Sequence, residues 1–220
     1  MSESIGDRMK RYEKVYQYSL TPRSCLFVRV DGKAFHSFTR GLERPFSQVL
    51  MDCMVNSAIE TAKEMQGFKL AYIQSDECTF MLTDFYTLQT QGWFGYELSK
   101  IISISASLFT ANFNRFMRAE QLAFFDSRAF IVPTEEAPNV FIWRQRDWER
   151  NSIQMLAQAH YSSKQLHGKG SSAMHEMLYQ KGVNWAELPD QWKNGTFINR
   201  RMEKLFIRFD YESLQKETQI

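Results

Sequence analysis

One short segment, Ser24-Cys-Leu-Phe-Val-Arg-Val30 followed by Asp31-Gly32, constrains this chain more than any other. An apolar, β-branched run of this length reads as a buried strand. Arg29 and Asp31 put charge at the mouth of that strand. Local inconsistencies of this kind tend to mark functional sites. Gly32 lets the chain turn sharply and brings backbone groups close to a ligand. Asp-Gly is also a common turn pair, so the segment alone is equally compatible with a plain strand end.

The remaining pattern builds a fold around that strand. Ile5 to Leu20 carries Met9, Tyr12, Val15, Tyr16 and Ser19 at helical spacing, and Pro22 stops it. Pro45 to Met65 reads as a helix with Ser47 as its cap and Gly67 as its stop. Lys69–Ile73 and Glu77–Leu82 read as strands joined by the turn Gln74-Ser75-Asp76, a hairpin. A long helix from Tyr96 to Met117 and a strand from Phe124 to Val132 follow. Helices are predicted at Pro138–Tyr161, at Lys164–Leu166 behind the capping pair Ser162-Ser163, and at Ser171–Lys181. Lys193–Asn199 and Lys204–Phe209 read as late strands. This order predicts an α+β fold, an antiparallel-containing sheet with helices on one face. Residues 1–135 would form the core, and residues 136–220 a helical and short-strand extension packed on it, possibly continuous with it as one domain.

Composition narrows the function classes. With 44% hydrophobic and 24% charged residues the chain is neither disordered nor low-complexity. No apolar run reaches the length of a membrane span, and the first residues show no apolar signal region. Cys25, Cys53 and Cys78 are odd in number and form no C-x-x-C pair. They are expected to be reduced, mostly buried thiols, which implies a cytoplasmic setting and no structural zinc. The net charge is only +2, but it is unevenly spread. Residues 22–44 set Arg23, Arg29, Lys33, Arg40 and Arg44 against Asp31 and Glu43. Residues 193–208 set Lys193, Arg200, Arg201, Lys204 and Arg208 against Glu203 alone. Such blocks suit a phosphate-bearing partner, or are simply solvated faces.

The chemistry is expected at Asp31 and at Ser75-Asp76-Glu77. Adjacent carboxylates repel unless a cation or donor offsets them. Neighbours on a strand point to opposite faces, so only one of Asp76 and Glu77 can share a face with Asp31. If the hairpin pairs beside the first strand, Asp31 and Asp76 converge at one end of the sheet. Two carboxylates and a backbone carbonyl suit Mg²⁺, and a pair of such ions suits phosphoryl or nucleotidyl transfer. Arg29, Lys33, His36 and Arg128 lie where a triphosphate would need them. His36 is equally compatible with a packed histidine between Phe35 and Phe38. Arg146 and Arg150 share a helix face near Trp143 and Asn151, which fits an RNA contact or an ordinary amphipathic helix.

Three motifs, Val28-Arg-Val-Asp-Gly-Lys-Ala-Phe-His-Ser-Phe38, Gln74-Ser-Asp-Glu77 and Phe125-Asp-Ser-Arg128, together resemble the tRNA(His) guanylyltransferase family of 3′-to-5′ polymerases. The resemblance covers roughly residues 23–209 and implies a polymerase-type palm with a mostly antiparallel sheet flanked by helices. It implies Asp31, Asp76 and the Gly32 carbonyl as ligands of two Mg²⁺ ions, with Glu77 as a supporting acid. Lys33, Ala34, Phe35, His36, Arg44, Ser75, Asp76, Arg29 and Arg128 would meet the nucleotide, ATP or GTP. Arg146, Arg150, Asn151, Lys164, His167, Lys169 and Lys193 would meet tRNA. After Trp143-Arg-Gln the chain has Glu149-Arg150-Asn151-Ser152 where guanylyltransferases of complex cells carry a His-Ile-Asn-Asn pattern. That departure resembles the guanylyltransferase-like branch and implies template-dependent repair of tRNA 5′ ends, with strict addition of G₋₁ to tRNA(His) as the alternative. Family members also imply a homotetramer. A non-catalytic RNA-binding palm would lack a carboxylate that is present here. A nucleotide cyclase would carry a Gly-Gly-acidic-Glu-Phe type of hairpin in place of Gln-Ser-Asp-Glu.

Overall fold

The apolar strand lies in the interior of a six-stranded sheet. The computed structural model describes residues 3–220. The strands are β1 (Cys25–Gly32), β2 (Phe68–Gln74), β3 (Glu77–Leu82), β4 (Phe125–Val132), β5 (Thr196–Asn199) and β6 (Lys204–Leu205). They run in the order β4-β1-β3-β2-β5-β6, and every neighbouring pair is antiparallel. The strands of residues 196–205 thus extend the sheet begun by residues 25–132, so no sheet boundary falls at residue 135.

Helices cover both faces of the sheet, a correction to the one-faced arrangement expected from element order. Leu26, Val28 and Val30 enter a core with Met51, Met54, Val55 and Ala58 of α3 (Gln48–Lys63) and Ile101, Phe109 and Phe113 of α4 (Leu98–Met117). Cys25 and Phe27 enter a second core with Val140, Phe141 and Trp148 of α5 (Ala137–His160) and Leu214 of α9 (Tyr211–Thr218). The reason is visible in β1 itself: a strand without polar alternation has no face to give to water. Phe27 packs on Phe130 at 5.6 Å and Phe141 at 5.4 Å between ring centroids. Truncating such a ring costs about 3–5 kcal/mol.

Smaller elements complete the fold: α1 (Ile5–Lys14), α2 (Phe35–Phe38), α6 (Ser163–Leu166), α7 (Ser171–Gln180) and α8 (Asp190–Asn194). A third apolar cluster joins Ile153 and Leu156 of α5 to Leu166, Met174 and Leu178. Ser47 caps α3 by accepting from the Leu50 amide, and Ser162 forms a capping box with Gln165. Among the described residues no helix is long and apolar enough to cross a membrane.

Several elements differ from expectation, the unforeseen α2 among them. The first helix stops at Lys14, because Ser19 bridges Glu97 and the Leu20 amide donates to the Tyr96 carbonyl. The segment read as a strand from Lys193 begins inside α8, which closes at Gly195 with φ 72°; the strand starts at Thr196. The last strand is confined to Lys204–Leu205, and α9 follows where none was expected.

Candidate active site

Sheet register builds the site. Asp31 of β1 lies opposite Glu77 of β3 and opposite Asp126 of β4. Residues directly opposed in antiparallel strands share a face. Glu77, and not Asp76, is therefore the acid on Asp31's face, the one covered by α5. Asp76 sits in the two-residue loop between Gln74 and Glu77, and its carbonyl accepts from the Gly32 amide at 3.0 Å. This rung ties the loop to the end of β1. Ser75 is held at φ 47°, a left-handed backbone unusual for a non-glycine. Its hydroxyl donates to Asp76 Oδ1 at 2.9 Å.

Two cavities meet at Asp76. One, of about 370 Å³, is lined by Asp31, Asp76, Glu77, Arg144, Asp147 and Asn151. The other, of about 480 Å³, is lined by Phe35, His36, Arg44, Leu50, Ser75 and Asp76. Burial pushes the Asp76 carboxyl above its usual range; the Ser75 and backbone hydrogen bonds oppose this, and the nearby Asp31 charge adds to it. A divalent cation would relieve that uncompensated charge. Among the described residues there is no group of three or more metal-ligating side chains. The protein's share would be two carboxylates and the Gly32 carbonyl. That suits Mg²⁺, which keeps waters and substrate phosphates in its shell.

Glu77 is engaged elsewhere. Arg144 Nε and Nη2 donate to its two carboxylate oxygens at 2.7 and 2.8 Å, and Arg144 Nη2 also reaches Asp147 at 2.8 Å. Arg144 is buried and Glu77 largely covered, their side chains 8% and 13% exposed. Arg29 lies behind them, 3.9 Å from Glu77 and against the face of Trp143. It is thus part of the support of the acid and does not open onto the cavities. Arg128 Nη2 donates to Asp126 at 3.0 Å and stands 3.8 Å from Asp31.

The other expected residues divide into two groups. Phe35 is a core residue, packed on Phe38, Phe113 and Phe125, and walls the larger cavity. Ala34 is left-handed at φ 54° and caps α2, while Lys33 and His36 are exposed beside it. Arg44 is exposed at the cavity rim. The expected RNA contacts lie on α5, on and after α6, and on α8. Arg146 is exposed and Arg150 pairs with Asp147. Asn151 lines the smaller cavity. Lys164, His167 and Lys169 are exposed on and after α6. Lys193 is bound to Asp190 at 3.2 Å and to the Ala186 carbonyl at 2.9 Å. Sequence reasoning missed Arg144 and Asp147. Their helical spacing was a usable signal, but Arg146 and Arg150 took its place.

Comparison with known proteins identifies the family and the fold. The family model described as tRNAHis guanylyltransferase matches residues 6–133. A bacterial tRNA(His) guanylyltransferase-like protein, solved in complex with ATP, superimposes with a TM-score of 0.95 at 40% identity, covering 99% of this chain and 100% of that one. Another such bacterial structure, in complex with GTP, gives 0.81 at 41% identity over 92% and 89% of the two chains. The tRNA(His) guanylyltransferase of Candida glabrata is 29% identical over 90% of this chain and 93% of its own.

Proposed function

We propose that this chain, which belongs to the tRNAHis guanylyltransferase family of nucleotidyltransferases, extends the 5′ end of tRNA in the 3′-to-5′ direction. One observation carries the reading: Asp31 and Asp76, 45 positions apart, line one cavity at the end of the sheet, and Asp76 also borders the second cavity. An ATP or GTP would activate the tRNA 5′-phosphate, and the 3′-hydroxyl of an incoming nucleoside triphosphate would then attack it. The ATP and GTP complexes of the bacterial relatives support both nucleotides.

Each residue has a task in this scheme. Asp31, Asp76 and the Gly32 carbonyl would hold two Mg²⁺ ions, which when bound lower the charge barrier to in-line displacement. Ser75 aims Asp76 through its hydroxyl. Arg44 and His36 border the larger cavity, where a triphosphate or base would be oriented. Arg128 offers a planar fork to phosphate at the open edge. Glu77, fixed by Arg144, supports the ligand pair from the next rung.

Glu149-Arg150-Asn151-Ser152 favours template-dependent repair of truncated 5′ ends over fixed addition of G₋₁. Homotetramer assembly belongs to the same reading and is supported by the exposed Ile5, Met9 and Tyr12 of α1. A cytoplasmic setting is supported by three buried free thiols. The test is incubation with 5′-labelled truncated tRNA, Mg²⁺ and each nucleoside triphosphate. Nucleotides complementary to the opposite strand are expected, and Asp31→Ala or Asp76→Ala should lower addition about a hundredfold or more with the fold intact by circular dichroism. A single G added whatever the template would select the G₋₁ reading. Full activity in either variant would remove the metal assignment.

A further inference from the structure

Lys69 stands at the opposite end of the sheet from the two acids. It lies six positions before Ser75, which follows the end of β2, a span of roughly 20 Å at the rise of a strand. The register of β2 against β3 shifts between Phe68 and Leu70, so strict alternation fails at Lys69. Its side chain is only 9% exposed. Among the described residues it forms no ion pair; its charged neighbour is Arg200, a second cation, and the Cys25 thiol lies beyond. Burial and Arg200 together push the ammonium below its usual range.

A largely covered stem with its ammonium at the cavity and another cation beside it favours an anion as partner. The space for one is there. A cavity of about 410 Å³ is lined by Lys69, Lys63, Gly67, Tyr86, Arg200 and Met202. Lys63 is answered by Glu60 at 2.6 Å. Arg200 uses one nitrogen on Gln219 and keeps the rest of its fork free for other acceptors. No carboxylate lines the cavity. Arg200 belongs to the second basic block of the sequence, whose charge the catalytic cleft does not use.

We propose that this cavity, between the start of β2 and the β5–β6 turn, is a phosphate-binding site in which Lys69 supplies a point charge and Arg200 a planar fork. A phosphate from the backbone of an RNA and a free inorganic phosphate present the same oxygens. The site stands apart from the catalytic reading, since anion binding can be measured without turnover.

The test titrates inorganic phosphate calorimetrically into the full chain at fixed ionic strength, with chelator present to keep divalent ions out of the cleft. Lys69→Met and Arg200→Gln are compared with the unaltered protein. Each should weaken phosphate binding about tenfold or more, the loss of one charge-assisted hydrogen bond, while Mg²⁺-dependent nucleotide addition at saturating tRNA stays unchanged. In a parallel arm, tRNA binding is measured across salt concentrations. A slope reduced by about one in both variants assigns the site to an RNA phosphate. An unchanged slope with lost phosphate binding assigns it to a free phosphate. Equal phosphate binding in all three proteins, or none in the unaltered one, would overturn the proposal. Arg200 is exposed, so its variant decides the matter if Lys69→Met does not fold.

Discussion

A methyl group at position 32 would stand 2.2 Å from the Phe35 ring. Gly32 is therefore required by packing: the ring folds back onto the strand end that bears Asp31. Gly32→Ala should destabilise the protein by about 1–3 kcal/mol in denaturant unfolding, the usual range for overpacking. Adding Phe35→Leu should restore part of that loss; no recovery would place the strain elsewhere. The Asp-Gly pair was legible as a strand end, but the packing reason for the glycine was not. A turn preference can be read from two residues, whereas a ring three positions on becomes a neighbour only once α2 has formed. Glu77 teaches the same lesson over a longer range. Its charge is obvious in the sequence, yet the guanidinium that holds it lies 67 residues away.

At the level of elements, the caps decided what could be foreseen. Ser47 and Ser162 sit before clear helical patterns and cap their helices, which begin at Gln48 and Ser163, three residues after and one before the expected starts. The C-terminal helix α9 was missed because it is eight residues long and buries only Leu214 and Thr218. Its start is fixed by Asp210, whose side chain accepts from the Ser213 amide at 2.8 Å. That hydrogen bond holds the Asp210 carboxyl below its ordinary value of 3.8. The folded-state value is thus the lower one, so the cap's contribution is complete above 3.8 and disappears as pH falls through the folded value. Amide exchange in α9, corrected for intrinsic rates, should speed up on acidification below that point. Asp210→Asn keeps a capping oxygen and should remove the pH dependence; if the dependence persists, another group governs the helix end.

Across the whole molecule, one buried ion pair fastens the α5 layer to the hairpin. Arg144→Met would leave Glu77 buried without its partner, at a cost of about 3–5 kcal/mol. The double variant Glu77→Leu, Arg144→Met should cost clearly less, as read from chemical unfolding of the single and double variants. Additive losses would mean that the pair is not coupled. The first four strands followed from hydrophobic pattern, because that pattern is local; the order in which they pair did not. The second helical layer did not follow from element order, although the unbroken apolar run of β1 already required it. Arg29 illustrates the limit: a charge at a strand mouth was read as open to ligand, but Trp143 from a helix a hundred residues later covers it.

The hairpin joins Gln74 to Glu77 through two residues only. A strand slipped by one position turns every inward side chain outward. Heritable change at Asp76 is accordingly limited to substitution. An insertion or deletion, which the exposed stretch 86–92 has room to absorb, would here move the acid relative to the register that sets both faces of the sheet.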